Sequence, residues 1–417
     1  MRCLRFLFRA SLPAISLVTT FAGAVLFLAA LVPADAVAQV TNWPEDRFGN
    51  DRLGFNPYEA ILNPSNVNKL GLLWRRQQAS NLIIVSPAVA NGILYADSFT
   101  NGRGTPKLFA LNTRTGAPLW ERSFLGQFFQ SSPAVVNGVL YIGVGFFTPY
   151  YTGAMYAFDA QTGAVLWTNP NVDAVQSSPA VGNGAVYFGS DDYYVYSLDA
   201  NSGNLLWRYP TGNSVTADPA LVNGVVYIGS NDSYLYALDA NSGTLLWKYK
   251  TTYSINSAPA VQDGVLYISS YDGGVYALNA TTGALLWKNA TNGLFFGSPS
   301  IANGMVYVCA SDSTTGLSAL NAQTGAMVWS FPTTQCTYSS PAVANGVVYV
   351  GAQDGYVYAV NAMTGELLWR VAAGTYVDAS PVVVNGMLFV ATYDGNVLAF
   401  SLNGHESGGA MDGQSRK

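Results

Sequence analysis

Residues 340–369 read Ser340-Pro-Ala-Val-Ala-Asn-Gly-Val-Val-Tyr-Val-Gly-Ala-Gln-Asp-Gly-Tyr-Val-Tyr-Ala-Val-Asn-Ala-Met-Thr-Gly-Glu-Leu-Leu-Trp369, and variants of this stretch recur along the 417-residue chain. A period of about 40 residues indicates one supersecondary unit per repeat, stacked on its neighbours. Hairpin dipeptides mark eight copies: Asn91-Gly92, Asn137-Gly138, Asn183-Gly184, Asn223-Gly224, Asp263-Gly264, Asn303-Gly304, Asn345-Gly346 and Asn385-Gly386. Tryptophans mark the same number: Trp74, Trp120, Trp167, Trp207, Trp247, Trp287, Trp329 and Trp369.

Each repeat predicts four short strands. The Asn-Gly dipeptide tolerates positive φ at both central positions of a tight turn, so it joins the first two strands. The Val-Val-Tyr and Tyr-Val-Tyr runs are β-branched and aromatic, and turn residues bound them. Four strands per unit at this period are typical of a propeller blade. The expected fold is all-β, an eight-bladed β-propeller of four-stranded antiparallel blades.

The two ends of the chain predict how the ring closes. Leu70–Trp74 precedes the first hairpin, and the last repeat ends at Phe400 without a Leu-Leu-Trp strand of its own. We therefore expect the N-terminal strand to complete the last blade, which leaves no open sheet edge. Two repeats carry additional residues between their second and third strands, at Ser98–Pro106 and Val144–Gly153. The aromatic stretch Phe146–Tyr151 in the second insertion either binds a ligand or folds onto its own blade.

The end of each repeat carries the motif of a known family. Ala157, Asp159, Thr162, Gly163 and Trp167 resemble the tryptophan-docking motif of quinoprotein alcohol dehydrogenase-like propellers, and other repeats carry the same pattern. The resemblance covers roughly residues 42–402. It implies eight blades in which each indole ties one blade to the next. The family holds dehydrogenases that use pyrroloquinoline quinone (PQQ) and non-catalytic relatives such as the outer-membrane assembly lipoprotein, so fold alone does not decide function.

The first residues predict export. Three arginines precede the apolar stretch Ala10–Val32, and Ala36-Val-Ala38 fits a signal-peptidase site. We expect a signal peptide over residues 1–38, a single propeller over 39–402 and a disordered tail over 403–417. The mature protein would be periplasmic or secreted. The apolar stretch is also long enough to stay as an uncleaved anchor, the one case in which we expect membrane insertion.

The charge of the mature chain bears on its partners. The full chain has 19 basic and 24 acidic residues, and residues 1–38 contain three Arg and one Asp. Subtraction leaves 16 basic and 23 acidic residues, a net charge of −7. This balance argues against nucleic acid, which requires basic patches.

Two cysteines remain after residue 38. Cys309 ends a predicted second strand, and Cys336 lies at the start of the next blade's innermost strand. Both should fall on the same face of neighbouring blades. They either form a disulfide, which an oxidising compartment permits, or stay as separate buried thiols.

The resemblance places a candidate site on the face formed by the segments before each Ser-Pro. Two carboxylates there, Asp218 and Asp378, could serve acid–base chemistry or hold a cation, or the ring could be a polar, water-filled funnel. The ring consists of Ile84, Gln130, Gln176, Thr216 with Asp218, Asn256, Phe296, Thr337 with Tyr338, and Val377 with Asp378. The candidate binding residues of this central pocket are Gln130, Gln176, Asp218, Asn256, Tyr338 and Asp378.

These ring positions do not match the requirements of the quinone. PQQ carries carboxylates that need cationic partners such as Arg, and the ring contains no Arg or Lys. Dehydrogenases of the family also hold an adjacent cysteine pair against the quinone, and this chain has none. The only histidine, His405, lies in the tail, which excludes a His-based triad or a His-rich zinc site in the propeller. We predict no catalytic residue, no metal and no cofactor, with PQQ plus calcium as the alternative.

The sequence thus favours an exported, non-catalytic binding or scaffold protein with a protein or glycan partner in the cell envelope. A divergent PQQ-dependent alcohol dehydrogenase is the first alternative. The second is a glycan-binding module that uses the aromatic stretch Phe146–Tyr151.

Overall fold

The computed structural model describes residues 42–77, 85–98, 105–146, 152–290, 297–311, 316–334, 336 and 338–405. Residues Val40–Lys417 form one compact unit. Within the described ranges, no helix is long and apolar enough to cross a membrane. Several predictions fall outside these ranges: the signal peptide at 1–38, the ring positions Ile84, Phe296 and Thr337, the loop residues 147–151, and tail residues 406–417.

The described chain forms eight antiparallel blades, which confirms the predicted all-β propeller. Blades are numbered 1 to 8 in the order of their Asn-Gly or Asp-Gly hairpins. The innermost strands are Ala88–Ala90, Ala134–Val136, Ala180–Gly182, Ala220–Val222, Ala260–Gln262, Ser300–Ala302, Ala342–Ala344 and Val382–Val384. The second strands are Ile93–Asp97, Val139–Phe146, Ala185–Gly189, Val225–Gly229, Val265–Ser269, Met305–Cys309, Val347–Gly351 and Met387–Ala391.

The outer half of each blade completes the four-stranded sheet. The third strands are Lys107–Asn112, Thr152–Asp159, Tyr194–Asp199, Tyr234–Asp239, Gly274–Asn279, Leu317–Asn321, Tyr356–Asn361 and Asn396–Ser401. The outer strands of blades 1 to 7 are Pro118–Ser123, Val165–Asp173, Leu205–Pro210, Leu245–Lys250, Leu285–Ala290, Met327–Phe331 and Leu367–Ala372. Two short strands, Phe55–Asn56 and Gln127–Phe128, and the 3-10 helix Val67–Lys69 are additional.

The hairpins adopt the backbone conformation that their sequence predicts. The first residue of each dipeptide has φ between 43° and 55°, and the glycine that follows has φ between 73° and 80°. Positive φ at both central positions matches the twist of the flanking strands.

The N-terminal strand closes the ring as predicted. Gly71–Gln77 pairs antiparallel with Asn396–Ser401 and supplies the outer strand of blade 8. The chain stays paired beyond the predicted boundary at residue 402, because the His405 N–H donates to the Leu72 carbonyl at 3.1 Å. The closing strand Gly71–Gln77 is therefore hydrogen-bonded to the C-terminal residues 396–405.

The insertion in blade 2 differs from the prediction. The sequence predicts a loop over Val144–Gly153, but the residues at both ends of this insertion lengthen two strands, and Gly145 pairs with Gly153. The short strand Gln127–Phe128 also pairs with the end of the second strand, at Phe146 and Gly145. The β-branched and aromatic residues Val144, Phe146 and Thr152 favour this extension of the ladder at both ends of the insertion.

The tryptophans join neighbouring blades. In seven of them the indole Nε1 donates to a backbone carbonyl of the next blade at 2.8 to 3.0 Å. The ring lies against the turn glycine of that blade, and a Cβ on Gly243 would come 2.6 Å from Trp207. Trp369 differs, because the blade that follows it, blade 8, takes its outer strand from the N-terminal region. The Trp369 ring instead packs edge-on against Phe400. The pairs are Trp74 with Thr113, Trp120 with Ala160, Trp167 with Ala200, Trp207 with Ala240, Trp247 with Ala280, Trp287 with Ala322, and Trp329 with Ala362.

Candidate functional site

The up-and-down strand order gives the propeller two different faces. The funnel face carries the segments before each Ser-Pro and the turns between second and third strands. The hairpin face carries the Asn-Gly hairpins and the turns before the outer strands. The candidate residues that the structure describes belong to the funnel face.

A nearly closed chain of hydrogen bonds, the serine ring, surrounds the axis at the residue before each proline. The backbone N–H of one blade donates to the side-chain oxygen of the next blade at 2.5 to 3.3 Å. One link is missing, because Ala258 offers the Asp218 N–H no acceptor side chain. The links run from Ser86 to Ser132, Ser132 to Ser178, Ser178 to Asp218, Ala258 to Ser298, Ser298 to Ser340, Ser340 to Ser380, and Ser380 to Ser86.

Asp218 is therefore a member of this ring rather than a free pocket acid. Its Oδ1 accepts the Ser178 N–H at 2.5 Å, in the place that a serine hydroxyl takes elsewhere. Asp378 belongs to blade 8, four blades away across the axis. Asp378 and Asp218 are not among the groups that shift each other's pKa, so nothing in the described structure indicates that the two predicted carboxylates act as a pair.

The axial segment, Trp43–Asn56, runs around the axis on the hairpin side of the serine ring and touches the innermost strand of every blade. Its partners are the residues two positions after each Ser-Pro proline. The backbone groups on the edges of the innermost strands would otherwise face an open channel, and the axial segment hydrogen-bonds to them instead. The contacts are Trp43 with Val89, Pro44 with Val135, Asn50 with Val181 and Leu221, Asp51 with Val261, Leu53 with Ile301, Gly54 with Val343, and Asn56 with Val383.

Two buried arginines of the axial segment lie at the centre. The Arg52 guanidinium donates to the carbonyls of Asp46, Ser178, Pro179 and Pro219 at 2.6 to 3.1 Å. Arg52 is fully buried. The sequence predicts a central pocket without Arg or Lys. The ring positions contain neither residue type, but the prediction is wrong for the centre of the propeller, where Arg47 and Arg52 lie.

Arg47 is used in the same way. Its Nη1 donates to the Ser298 carbonyl at 3.0 Å, and Nη2 donates to the Pro299 carbonyl and the Ser300 hydroxyl. Nε donates to the Arg52 carbonyl at 3.3 Å. Each of the two guanidinium groups therefore donates four hydrogen bonds to the protein itself.

Acidic groups accompany these arginines, and burial dominates their titration. Burial raises the pKa of Asp218 to about 7, and the neighbouring Asp46 raises it further while Arg52 opposes the shift. Burial likewise raises the pKa of Glu45 to about 7, with Arg52 again opposing. Burial lowers the pKa of Arg47 to about 10. The centre is a desolvated cluster in which burial favours the neutral forms of Glu45 and Asp218.

The funnel rim is built from amide, hydroxyl and carboxyl groups. The Gln176 Nε2 donates to Asp191 Oδ2 at 2.7 Å, and the Gln353 Nε2 donates to Asp378 Oδ1 at 3.3 Å. Burial raises the pKa of both carboxyls, and the amide donors oppose that shift. Gln130 of blade 2 corresponds to Gln176, since each lies two residues before the serine of its Ser-Pro, and Gln130 is partly buried.

A sector of the rim in blades 4 and 5 keeps unused acceptors. Thr216 Oγ1, Asn231 Oδ1 and Asn256 Oδ1 are buried and have no hydrogen-bond partner in the described structure. The Asn256 Nδ2 does donate, to the Tyr271 hydroxyl at 3.4 Å. All three oxygens are enclosed by the protein, so they are unpaired acceptors inside the packing rather than groups open to the funnel.

Tyrosines stand around the same face with large exposed areas. Tyr253 is 61% exposed, Tyr338 53% and Tyr376 51%. Tyr193 is 48% exposed and has φ of 74° in a turn where blades 5, 7 and 8 carry glycine. Backbone strain of this kind is often retained at functional sites.

The two cysteines are joined in the structure. Cys309 and Cys336 form a disulfide between blades 6 and 7 with a Cα–Cα distance of 5.7 Å. Both are buried, at 2% and 1% exposure. The bond therefore lies within the packing between blades and offers no platform to a ligand.

A shallow depression of about 460 Å³ opens on the hairpin face. Phe48, Leu53, Phe55 and Tyr58 of the N-terminal region and Leu221 of blade 4 form most of its apolar lining. Nothing in the structure indicates what would cover it. In the part of the chain that the structure describes, no cluster of three or more His, Cys, Asp or Glu side chains could hold a metal ion.

The repeats place the chain in a known family. A family profile described as outer membrane protein assembly factor BamB matches residues 151–257, 231–340 and 317–407. Together these matches span 151–407, more than half of the chain. The chain belongs to this PQQ-repeat family. No curated protein matches the sequence.

Solved structures of PQQ-repeat propellers and their relatives share the fold. BamB from Moraxella catarrhalis has 22% identity over 81% of this chain and 99% of its own, with a TM-score of 0.65. A europium-containing methanol dehydrogenase has 14% identity over 87% and 98%, with a TM-score of 0.73. The quinohemoprotein alcohol dehydrogenase from Comamonas testosteroni has 18% identity over 90% and 83%, with a TM-score of 0.71. At these identities the likeness shows the fold alone.

The residues of this PQQ-repeat propeller do not fit the quinone itself. The cofactor's carboxylates need cationic donors. The central guanidinium groups of Arg47 and Arg52 already bind backbone carbonyls beside the serine ring. The rim instead offers Asp191 and Asp378, and the Cys309–Cys336 disulfide is buried. No catalytic step follows from this arrangement.

Neither the axial segment nor the serine ring was predicted from the sequence. A signal for the first exists, because residues 45–52 contain Glu45, Asp46, Arg47, Asp51 and Arg52 in a chain with only 10% charged residues. A signal for the second was the Ser-Pro dipeptide itself, whose serine recurs at six of eight positions.

Proposed function

We propose that this chain is an exported, non-catalytic binding propeller of the cell envelope whose funnel face receives its partner. The proposal rests on how the charged side chains of the propeller are used. The arginines and Asp218 are committed to holding the blades together, while the outer rim presents amides, hydroxyls, tyrosines and the amide-bound carboxyls of Asp191 and Asp378. Such a surface is suited to binding by shape and hydrogen bonding.

Export rests on separate support. Residues 1–38 read as a signal peptide, and the disulfide between blades 6 and 7 suits an oxidising compartment. The family description, outer membrane protein assembly factor, also belongs to the envelope. These three observations support a periplasmic or secreted location.

A PQQ-dependent dehydrogenase is the competing function. The dehydrogenases among the structural relatives favour it, and they share the fold over most of this chain. The donor set of the funnel disfavours it, because a desolvated anionic cofactor would meet carboxyls rather than free cations. We therefore rank binding above catalysis.

Cross-linking in the native envelope tests the proposal. The exported, tagged protein is cross-linked in cells, purified, and compared with the funnel double variant Tyr338→Ala, Asp378→Asn and with a variant lacking residues 147–151. The control is Tyr58→Ala, which removes a tyrosine of similar exposure (58%) from the hairpin face. Circular dichroism and melting establish that each variant is folded.

The expected result is a specific cross-linked component that the double variant loses and the Tyr58→Ala control retains. The variant lacking residues 147–151 shows whether that aromatic stretch contributes to the same contact. Retention of the component by the double variant, with loss in the control, would place the contact on the hairpin face and overturn the proposal.

A further inference from the structure

A second cavity opens on the hairpin face, in the gap between blades 4 and 5. Its volume of about 510 Å³ falls within the range of about 300 to 1,000 Å³ that is typical of small-molecule sites. It lies beside the shallow depression near the axis, and Val222 and Asn223 line both. The side chains of Asn223, Asp263 and Thr281 in its lining are exposed, so a solute can enter it from the solvent.

The apolar part of the cavity lining is held in place by hydrogen bonds between the two blades. The Trp247 indole and the Tyr227 hydroxyl both donate to the Ala280 carbonyl of blade 5, each at 3.0 Å. Leu246 precedes Trp247 in the outer strand and is 51% exposed, so a ligand that covers it removes apolar surface from water. The apolar residues of the lining are Val222, Val225, Leu246, Trp247 and Val261.

Asp263 gives this cavity a charge that its hairpin turn does not require. The other hairpin dipeptides all begin with Asn, so Asp263 is the only acid at this position. Its φ of 51° matches the 52° of Asn223 and Asn303, so an Asn would serve the turn equally well. Within the part of the chain that the structure describes, the Asp263 carboxylate has no hydrogen-bond or ion-pair partner. The carboxylate is therefore available to a ligand.

The charges around the cavity favour a cation. Among the described residues, no Lys or Arg lines the cavity or the neighbouring depression, which Asp51 lines. An indole ring attracts an ammonium group that lies within about 6 Å of its centre, and a carboxylate binds the same group through charge-assisted hydrogen bonds. Trp247 and Asp263 line one cavity. An indole, an unpaired carboxylate and apolar side chains together suit an ammonium ion with an apolar body.

We propose that the cavity between blades 4 and 5 is a binding site for an organic amine, a primary ammonium group carried on an apolar body. The ammonium group pairs with the Asp263 carboxylate, and the apolar body packs against Leu246 and Trp247. Asp263 is the residue on which selection of the charge depends. The site lies on the face opposite the funnel, so it is additional to the proposed function and independent of it.

Calorimetric titration of the exported protein with three probes of similar size tests this inference. Phenethylamine carries the ammonium group, phenethyl alcohol is neutral, and phenylacetate is an anion. Asp263→Asn removes the charge and gives the hairpin the Asn-Gly dipeptide of the other blades, so the variant should fold. Leu246→Ala removes apolar lining. The control is Leu206→Ala, which changes the corresponding leucine of blade 3, with 53% exposure.

We expect saturable binding of phenethylamine, weakened about ten-fold or more by Asp263→Asn, because a hydrogen bond to a charged group accounts for at least that factor. Leu246→Ala should also weaken it, and Leu206→Ala should leave it within about two-fold of the wild type. The alcohol and the anion should bind at least about ten-fold more weakly than the amine.

Three results would overturn the inference. The first is no saturable binding of phenethylamine, and the second is equal binding of phenethyl alcohol. The third is amine binding that Asp263→Asn leaves unchanged. The envelope contact at Tyr338 and Asp378 lies on the other face, so each of these results leaves the proposed function standing.

Discussion

At the scale of single residues, the centre of the propeller combines strong hydrogen bonding with poorly solvated acids. Glu45 is 3% exposed, and its Oε2 has no hydrogen-bond partner in the described structure. Arg52 lies near enough to oppose the effect of burial on the Glu45 pKa, but its guanidinium is bound to backbone carbonyls. A buried acid with one unpaired oxygen makes stability depend on pH, because burial disfavours its ionised form.

Glu45→Gln should remove part of that dependence. The folded-state pKa of Glu45 is about 7, above its usual 4.5, so the folded protein favours the protonated acid. The contribution of Glu45 to the free energy of unfolding is fully present below about pH 4.5, and it is lost as the pH rises through about 7. A shift of this size corresponds to about 3 kcal/mol at most, since one unit is about 1.4 kcal/mol. Urea unfolding at pH 5 and pH 8 should show a smaller fall in the free energy of unfolding for the variant than for the wild type.

The exposed Glu366 provides the control for this prediction. Glu366→Gln should leave the pH dependence of unfolding unchanged, because the side chain is solvated. Equal slopes for wild type and Glu45→Gln would contradict the interpretation of Glu45 as a desolvated acid.

At the scale of structural elements, the docking tryptophans determine how blades hold together. Trp247 donates to the Ala280 carbonyl at 3.0 Å, and a Cβ on Gly283 would come 2.6 Å from its ring. Gly283 has φ of 70°, so the next blade's turn both needs a glycine and leaves room for the indole.

Trp247→Ala should destabilise the protein by about 3–5 kcal/mol, the usual cost of emptying a large aromatic site. Trp247→Phe keeps a ring but removes the donor, and it should cost less, since one hydrogen bond contributes about 1 kcal/mol. Chemical unfolding measures both. A change below about 1 kcal/mol for the alanine variant would show that the indole does not support the contact between blades 4 and 5.

The disulfide is the other element that joins neighbouring blades. Mass spectrometry of the exported protein without reductant should recover Cys309 and Cys336 in one linked peptide. The bond closes a loop across 27 positions, and loop-closure entropy gives about 3 kcal/mol for that size. The double variant Cys309→Ser, Cys336→Ser should therefore unfold at lower denaturant. Alkylation of both thiols in the denatured, unreduced protein would show that the bond does not form.

At the scale of the whole molecule, the N-terminal region holds the ring together in two ways. Gly71–Gln77 completes blade 8, and the axial segment Trp43–Asn56 contacts every innermost strand. Loss of the first exposes an edge on one blade, while loss of the second uncovers the axis of all eight.

Two truncations separate these roles. Deletion of residues 39–78 should unfold or oligomerise the protein, because blade 8 loses its outer strand and the axial segment is gone. Deletion of residues 39–56 leaves blade 8 complete, so any loss of stability reports on the axial segment alone. Light scattering and thermal melting measure both variants. A monomer with unchanged melting after the longer deletion would contradict the closure shown by the strand pairing.

The sequence predicts the repeating parts of this molecule well and its unique parts poorly. The hairpins at Asn91 and Asn385 and the closing strand at Trp74 follow from local turn chemistry and counting. The position of Arg52 does not, because its partners Ser178 and Pro219 lie more than 120 residues away and offer only backbone carbonyls. A backbone carbonyl acceptor requires no particular side chain, so the sequence carries no signal for it. The position of Arg52 on the axis could therefore be found only from the structure.

The same limit applies to the candidate site. The rim positions Gln176, Asn256 and Asp378 follow from the repeat register. Their hydrogen-bond partners Asp191, Tyr271 and Gln353 come from turns whose side-chain directions the register does not determine. Orphan oxygens can be recognised only when such partners are known.

Titration of the purified protein with PQQ and calcium tests most directly whether the funnel is a binding surface rather than a quinone site. We expect no stoichiometric uptake of the quinone and no alcohol-dependent reduction of an electron-accepting dye, because the central guanidinium groups are already bound and the rim offers carboxyls. Uptake of one quinone per chain, with dye reduction that Asp378→Asn abolishes, would contradict the account.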